Sequence, residues 1–172
     1  MRNPNLNKRS RRLAYLLRHD DSYRFDEHGY RDVVDLVTNH DFTFPLLEAI
    51  VAENDKQRYE FNDDKTKIRA RQGHSIDVDV ELTPACPPDI LFHGTAKEAL
   101  PSILNEGITR QSRRDVHLSP YEATAMKVGS RHGSPIVLRV DCKRMAEDGI
   151  QFFLSRNGVW LTEYVHPRYI LE

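Results

Sequence analysis

The chain has 172 residues, 39% hydrophobic and 30% charged, with a formal net charge of −1. That length buries a core as one domain or two small ones, and no run of about 18 apolar residues offers a membrane span. The basic front end lacks the unbroken apolar segment of a secretory signal, and Cys86 and Cys142 stand far apart without partners at metal-ligand spacing, so a cytoplasmic protein with reduced, inert thiols is expected, with neither a disulfide framework nor a zinc site.

The small net charge hides an asymmetry. Arg2, Lys8, Arg9, Arg11, Arg12 and Arg18 all precede the first acidic residue, Asp20, whereas Asp77, Asp79, Glu81 and Asp89 fall in a stretch without Lys or Arg. The basic end is either a solvated helix face or a docking surface for a polyanion. Ser10 is placed to cap a helix in which Leu13, Leu16 and Leu17 share one face, leaving Arg18 and His19 at its C-terminal end, where cations suit the helix dipole. Phe25 to Tyr30 reads as a turn, and Asp32 to Thr38 as a second helix carrying Val33, Val34, Leu36 and Val37. Thr43, Phe44 and Pro45 start a third, with Leu46, Leu47, Ile50 and Val51 inward.

Tyr59-Glu60-Phe61, a turn at Asn62 to Lys65, and a return strand Lys67 to Arg71 make a hairpin. Three helices and a hairpin form a winged-helix pattern. Alternation puts Ile68 and Ala70 on one side and Lys67, Arg69 and Arg71 on the other, a row of cations that is either a solvated outer face or a phosphate-contacting wing. Gln72-Gly73-His74-Ser75 breaks the strand. Thr83-Pro84-Ala85-Cys86-Pro87-Pro88 cannot join a helix or an inner strand, so the chain is divided into lobes at 1–82 and 83–172.

In the second lobe, Lys97 to Asn105 reads as a helix with Leu100, Ile103 and Leu104 inward and Gly107 as its stop. Ser119-Pro120-Tyr121-Glu122 reads as a capping box opening a helix that ends near Gly129. Pro135 to Val140 is a strong strand, Arg144 to Glu147 a short helix, and Ile150 to Leu154 and Val159 to Val165 are strands joined by the hairpin signal Asn157-Gly158. Neither a Rossmann nor a P-loop nucleotide motif occurs.

Two stretches draw attention as a site. Ile90-Leu91-Phe92-His93-Gly94-Thr95 and Val116-His117-Leu118-Ser119 each run from apolar strand formers into a histidine followed by small or hydroxyl residues, as if each strand end were one wall of a cleft. Gly94 would let a ligand approach the backbone, His93 and Thr95 offer hydrogen-bonding groups, and Ser119 is placed to cap the following helix. Two ordinary strand termini turning into loops would look the same.

Leu16-Leu17-Arg18-His19, Ile68-Arg69-Ala70 with Gln72-Gly73-His74-Ser75, Leu91 to Thr95, Val116 to Ser119, Gly129-Ser130-Arg131-His132-Gly133 and Asn157-Gly158-Val159-Trp160-Leu161-Thr162 together resemble the RNA 2′-phosphotransferase family, which includes the tRNA-splicing 2′-phosphotransferase. The resemblance runs in the family's order from about residue 10 to the C-terminus. It implies an α+β fold with an N-terminal winged-helix RNA lobe and a strand-rich, ADP-ribosyltransferase-like lobe that binds NAD⁺, consumed as a co-substrate without metal. It further implies action on RNA that carries an internal 2′-phosphate, and a monomer is expected. The phosphate attacks the nicotinamide ribose and expels nicotinamide; a hydroxyl of the transferred ADP-ribose then attacks phosphorus, giving 2′-OH RNA and ADP-ribose 1″,2″-cyclic phosphate.

By the same resemblance, Arg18, His19, Arg69 and Arg131 hold the transferring phosphate, and His93, Gly94, Thr95, His117, Leu118 and Ser119 hold NAD⁺. Guanidinium groups suit a phosphate through bidentate contacts. Periodicity does not choose between Arg69 and Arg71; the motif does. Arg71 replaces an expected small or neutral residue, and Tyr30 stands where the family often has tryptophan. An ADP-ribosyltransferase that stops after the first step, on terminal phosphates of RNA or DNA, would share the cleft. Protein ADP-ribosylation would need a cleft glutamate, for which Glu163 is the one candidate. A non-catalytic winged-helix binder would leave the second lobe unexplained. Because no His, Cys and carboxylate spacing suits a metal, turnover is expected to survive a strong chelator; loss of activity restored by a divalent ion would contradict this.

Overall fold

The computed structural model describes residues 4–54 and 56–171; Arg2 of the basic stretch lies outside them. The chain divides into two compact units, Met1–Glu81 and Leu82–Glu172, and each combines helices with antiparallel sheet, an α+β architecture.

In the first unit, α1 (Pro4–Arg18) buries Leu13, Leu16 and Leu17 along one stripe. The helix starts well before Ser10, so Ser10 is not its cap. Tyr59 Oη instead donates to the Ser10 carbonyl at 2.7 Å, tying the helix to the hairpin. A two-residue strand β1 (Arg31–Asp32), too short to read from alternation, precedes α2 (Val33–Asn39). That short helix buries Val33 and Leu36 and leaves Val34 and Val37 exposed. Thr43 Oγ1 accepts from Leu46 N–H at 3.3 Å to cap α3 (Phe44–Ala52), with Leu47 and Ile50 buried.

The hairpin β2 (Tyr59–Phe61) and β3 (Lys67–Ala70) pairs Glu60 with Arg69 and Phe61 with Ile68, and β1 pairs on the other side of β3. The solvated outer face does not describe Arg69. Its side chain is only 1% exposed, so β3 is buried on both faces at this point and alternation does not report an inside and an outside.

A second buried arginine holds the loops of this unit. Arg31 donates through Nη1 to Asp20 Oδ2 (2.6 Å) and the Leu16 carbonyl (2.9 Å), and through Nε to Asp35 Oδ2 (2.7 Å), with Tyr23 stacked 4.1 Å from its guanidinium carbon. A guanidinium removed from water needs its donors matched, and here the partners come from the end of α1, from α2 and from the segment between them.

The second unit contains two sheets. One orders β10-β7-β5 from β5 (Ile90–Ala96), β7 (Pro135–Asp141) and β10 (Ile170–Leu171); the other orders β4-β8-β9-β6 from β4 (Thr83–Pro84), β6 (Val116–Leu118), β8 (Phe153–Leu154) and β9 (Trp160–Thr162). Pro84 sits on an edge strand, where its missing N–H costs no ladder bond. α4 (Leu100–Glu106), preceded by a 3-10 turn at Lys97–Ala99, ends at Gly107 with φ 85°; Ile103 is buried, but Leu104 is exposed, against the inward placement given it above. α6 (Cys142–Glu147) is capped by Asp141 Oδ1 accepting from Arg144 N–H at 3.1 Å. Burial pushes the Cys142 thiol up to about 12, which leaves it protonated and unreactive. Leu91, Leu118, Leu138, Val140, Met145 and Trp160 are among the core residues.

α5 (Glu122–Gly129) lies across β5 so closely that a Cβ built on Gly94 would stand 1.7 Å from the Ala125 carbonyl oxygen, and one on Gly129 2.7 Å from the Thr95 carbonyl oxygen. The space a side chain would take at Gly94 is thus filled by a helix, and helix packing is the reason for glycine there rather than the approach of a ligand. Gly94→Ala is expected to lower stability by at least about 2 kcal/mol, since rigid backbone must move. An unchanged midpoint in urea or thermal unfolding would contradict this packing.

Candidate active site

In the first unit, Arg18 occupies the last turn of α1 and His19 follows it. The Gln72-Gly73-His74-Ser75 loop wraps this helix end. Ser75 N–H donates to the Arg18 carbonyl (3.0 Å), one of the carbonyls a helix leaves unmatched, and His19 Nδ1 lies 2.9 Å from Ser75 Oγ. Gly73, at φ 86°, packs under the Arg18 guanidinium; a Cβ there would stand 3.5 Å from Arg18 Cζ. Two motifs more than fifty residues apart in sequence are therefore one local structure. An open groove of about 420 Å³ lies beside His19, bordered by Ser75, the rings of Tyr23 and Phe25, and the carboxylates of Asp21, Asp26 and Asp77.

Arg69 belongs to the same unit but has a different seat. Its Nε donates to Glu60 Oε1 at 2.8 Å, its Nη1 to Glu81 Oε2 at 3.0 Å and to the His28 carbonyl at 3.2 Å, and Tyr30 lies 4.5 Å from the guanidinium carbon. Burial alone would lower its pKa; Glu60, Tyr30 and Glu81 outweigh that and raise it, so the group is a permanent cation. Arg71 bonds the other Glu60 oxygen at 3.0 Å.

In the second unit, His93 and His117 are brought together, but not at strand ends. His93 lies in the middle of β5, which continues in register with β7 through Ala96, and His117 is the central residue of β6. The two stretches are stitched by Phe92 and Ser119, each donating its N–H to the other's carbonyl at 2.8 Å. His93 Nδ1 lies 3.1 Å from the His117 carbonyl. A carbonyl only accepts, so the proton sits on Nδ1 and Nε2 is an acceptor. His117 is the complement: Arg113 Nη1 donates to its Nδ1 at 3.0 Å, which places its proton on Nε2 as a donor.

The remaining residues divide. Ser119 Oγ accepts from Tyr121 N–H at 3.1 Å, and Tyr121, not Ser119, is the N-terminal cap position of α5, so the capping box is not formed. Leu118 is 2% exposed in the core; only its backbone can meet a ligand. Thr95 is half-buried on β5, and Arg131 is exposed in the turn after α5, with its N–H donated to Val128 O at 3.2 Å. Glu163 is exposed just beyond β9. Arg113, which contacts His117, is signalled in the sequence only by the basic run Arg110 to Arg114 just ahead of β6; desolvation and the charge of Arg131 lower its pKa.

The protein is thus an α+β chain that clusters guanidinium and imidazole groups in both units, the composition of a phosphate-handling protein. It belongs to the family described as RNA 2′-phosphotransferase, Tpt1 / KptA, whose model matches residues 4–164. Among its relatives are proteins named "Probable RNA 2′-phosphotransferase" from Burkholderia pseudomallei (44% identical, covering 94% of this chain and 92% of the relative), Fusobacterium nucleatum (44%, 95% and 96%) and Agrobacterium fabrum (45%, 94% and 91%).

Burial, opposed by the His117 hydrogen bond and assisted by Arg113 and His132, holds the pKa of His93 below its ordinary 6.5. A group depressed in the folded state contributes stability that is complete above its unfolded pKa and is lost as the pH falls. Unfolding free energy is therefore expected to decline as the pH drops from about 6.5 through the folded value, and His93→Gln is expected to flatten that decline. Superimposable pH profiles for the two proteins would contradict it.

Proposed function

We propose that this chain is an NAD⁺-dependent RNA 2′-phosphotransferase, which removes an internal 2′-phosphate from RNA through an ADP-ribosylated intermediate. The observation that carries the reading is the wrapping of Gln72 to Ser75 around Arg18 and His19, which makes one local structure of two distant family motifs. Family membership and the names of the relatives supply the activity. In this reading the first unit is a winged-helix RNA lobe, its three helices and β2–β3 hairpin carrying Arg18, His19 and Arg69, and the second is an ADP-ribosyltransferase-like lobe. Spliced tRNA is a substrate of the right chemistry, and the enzyme works in the cytoplasm as a monomer without metal.

NAD⁺ is the second substrate and supplies the ribose carbon and the hydroxyl that receives the phosphate. The residues suit it. The His93 Nε2 acceptor and the His117 Nε2–H donor offer a ribose hydroxyl the two kinds of partner it needs, and Thr95 and Ser119 add hydroxyl and backbone groups. Arg113 extends the set as a cation suited to a pyrophosphate. The 2′-phosphate is already an anion, so the first step requires positioning more than deprotonation. Phosphoryl transfer in the second step concentrates charge on the transferring oxygens, which Arg18, His19, Arg69 and Arg131 stabilise.

Arg18→Ala and Arg131→Ala are therefore expected to slow the second step by about 10² to 10³ and let ADP-ribosylated RNA accumulate. His93→Ala is expected to slow formation of that species and leave none behind. Mass analysis of a time course with NAD⁺ and a 2′-phosphorylated RNA checks this. Only starting RNA and finished product in the arginine variants would refute the division of roles, and no NAD⁺-dependent conversion of the 2′-phosphorylated RNA to 2′-OH RNA by the unaltered protein would refute the function.

A further inference from the structure

Arg69 is assigned to the substrate phosphate, yet its side chain is almost wholly covered. The contacts that cover it differ in how readily they open. Glu60 faces Arg69 directly in the strand register and also holds Arg71. The Tyr30 ring and the His28 carbonyl belong to the packed turn ahead of β1. Glu81 is different: its side chain is 48% exposed, and it stands in a segment without helix or strand. Its backbone has φ 56°, a left-handed conformation unfavourable for a glutamate. Asp79 holds it there, accepting from Glu81 N–H on Oδ1 at 2.9 Å and donating its own N–H to the Glu27 carbonyl at 2.8 Å.

We propose that the Glu81 carboxylate is an internal stand-in for the substrate's phosphate. It occupies Arg69 Nη1 in the free protein, yields that position to the 2′-phosphate when RNA binds, and returns when the RNA leaves without it. This rests on the function proposed above. Glu60 stays on Arg69 throughout, so the guanidinium keeps one anion when Glu81 leaves, and the Nη1 donors that Glu81 gives up are matched again by the phosphate. A phosphate monoester brings up to two charges and three acceptor oxygens against the single charge of the carboxylate, and prevails. RNA with no 2′-phosphate has nothing to exchange at this position, so its binding is indifferent to Glu81.

The test is binding without NAD⁺, by fluorescence anisotropy at one fixed salt concentration, of a short synthetic RNA carrying one internal 2′-phosphate and of the same RNA without it. Glu81→Gln removes the charge, and Glu81→Asn also removes the reach while tolerating a positive φ. Both are expected to tighten binding of the phosphorylated RNA by about fivefold, the scale of one partly exposed ion pair, and to leave the plain RNA unchanged. Equal tightening of both RNAs would mean a general charge effect and overturn the proposal. So would no change, weaker binding of the phosphorylated RNA, or loss of the folded state in both variants, which would make Glu81 a structural anchor. NAD⁺-dependent conversion of the phosphorylated RNA to 2′-OH RNA by the unaltered protein, measured alongside, judges the proposed function separately.

Discussion

Taking a cationic side chain out of water is the constraint on which the functional regions of both units depend. In the first unit Arg31 and Arg69 are the largest fully buried side chains, and each guanidinium left without matched acceptors would cost the unit stability. Arg31 recruits Asp20, Asp35 and the Leu16 carbonyl, which determines where the chain goes after α1. Arg69 recruits Glu60, Glu81 and the His28 carbonyl, which draws the segment after Ser75 back onto the hairpin. In the second unit the same constraint acts on an imidazole. His93 escapes it by staying neutral, and neutrality makes its Nε2 an acceptor.

The second unit depends also on a backbone crossing. Without side chains at Gly94 and Gly129, α5 lies directly on β5, so the strand that carries His93 and Thr95 and the helix that ends next to Arg131 share one rigid contact. Phe92 and Ser119 add a pair of backbone hydrogen bonds that lock the β6 end to β5. The hydroxyl of Thr95 and the imidazoles of His93 and His117 are thereby held on sheet, while Arg113 and Arg131 stand in the turns beside it.

Much of the architecture was legible in the chain. The apolar spacing of Leu13, Leu16 and Leu17, the Thr43 cap, the Asn157-Gly158 turn, the stop at Gly107 and the strand Pro135 to Val140 all depend on local propensities that act within a few residues. The motifs were legible as well, and the fold joins the Arg18-His19 end of α1 to Ser75 and His93 to His117. Errors arose where a residue's role depended on something distant. Ser10 and Ser119 looked like helix caps, and each hydroxyl oxygen meets another partner: Tyr59 for Ser10, Tyr121 for Ser119. Gly94 looked like room for a ligand and is room for a helix. Leu104 fits an inward helical stripe by period, but a helix of seven residues has little face to bury.

By itself the sequence determined which residue types are present at which spacing, and therefore the helices, the hairpins, the proline-rich junction and the family motifs; these follow from short-range sterics and hydrogen bonding. Only the tertiary structure decided what surrounds each charge. Alternation along β3 gives Arg69 an outer face, and the folded unit instead buries it against two glutamates. The tautomer of His93 and the pairing of Glu81 with Arg69 are likewise decided by partners many residues away. Desolvation and Coulomb energies depend on distance in space, and the linear order of residues does not contain that distance.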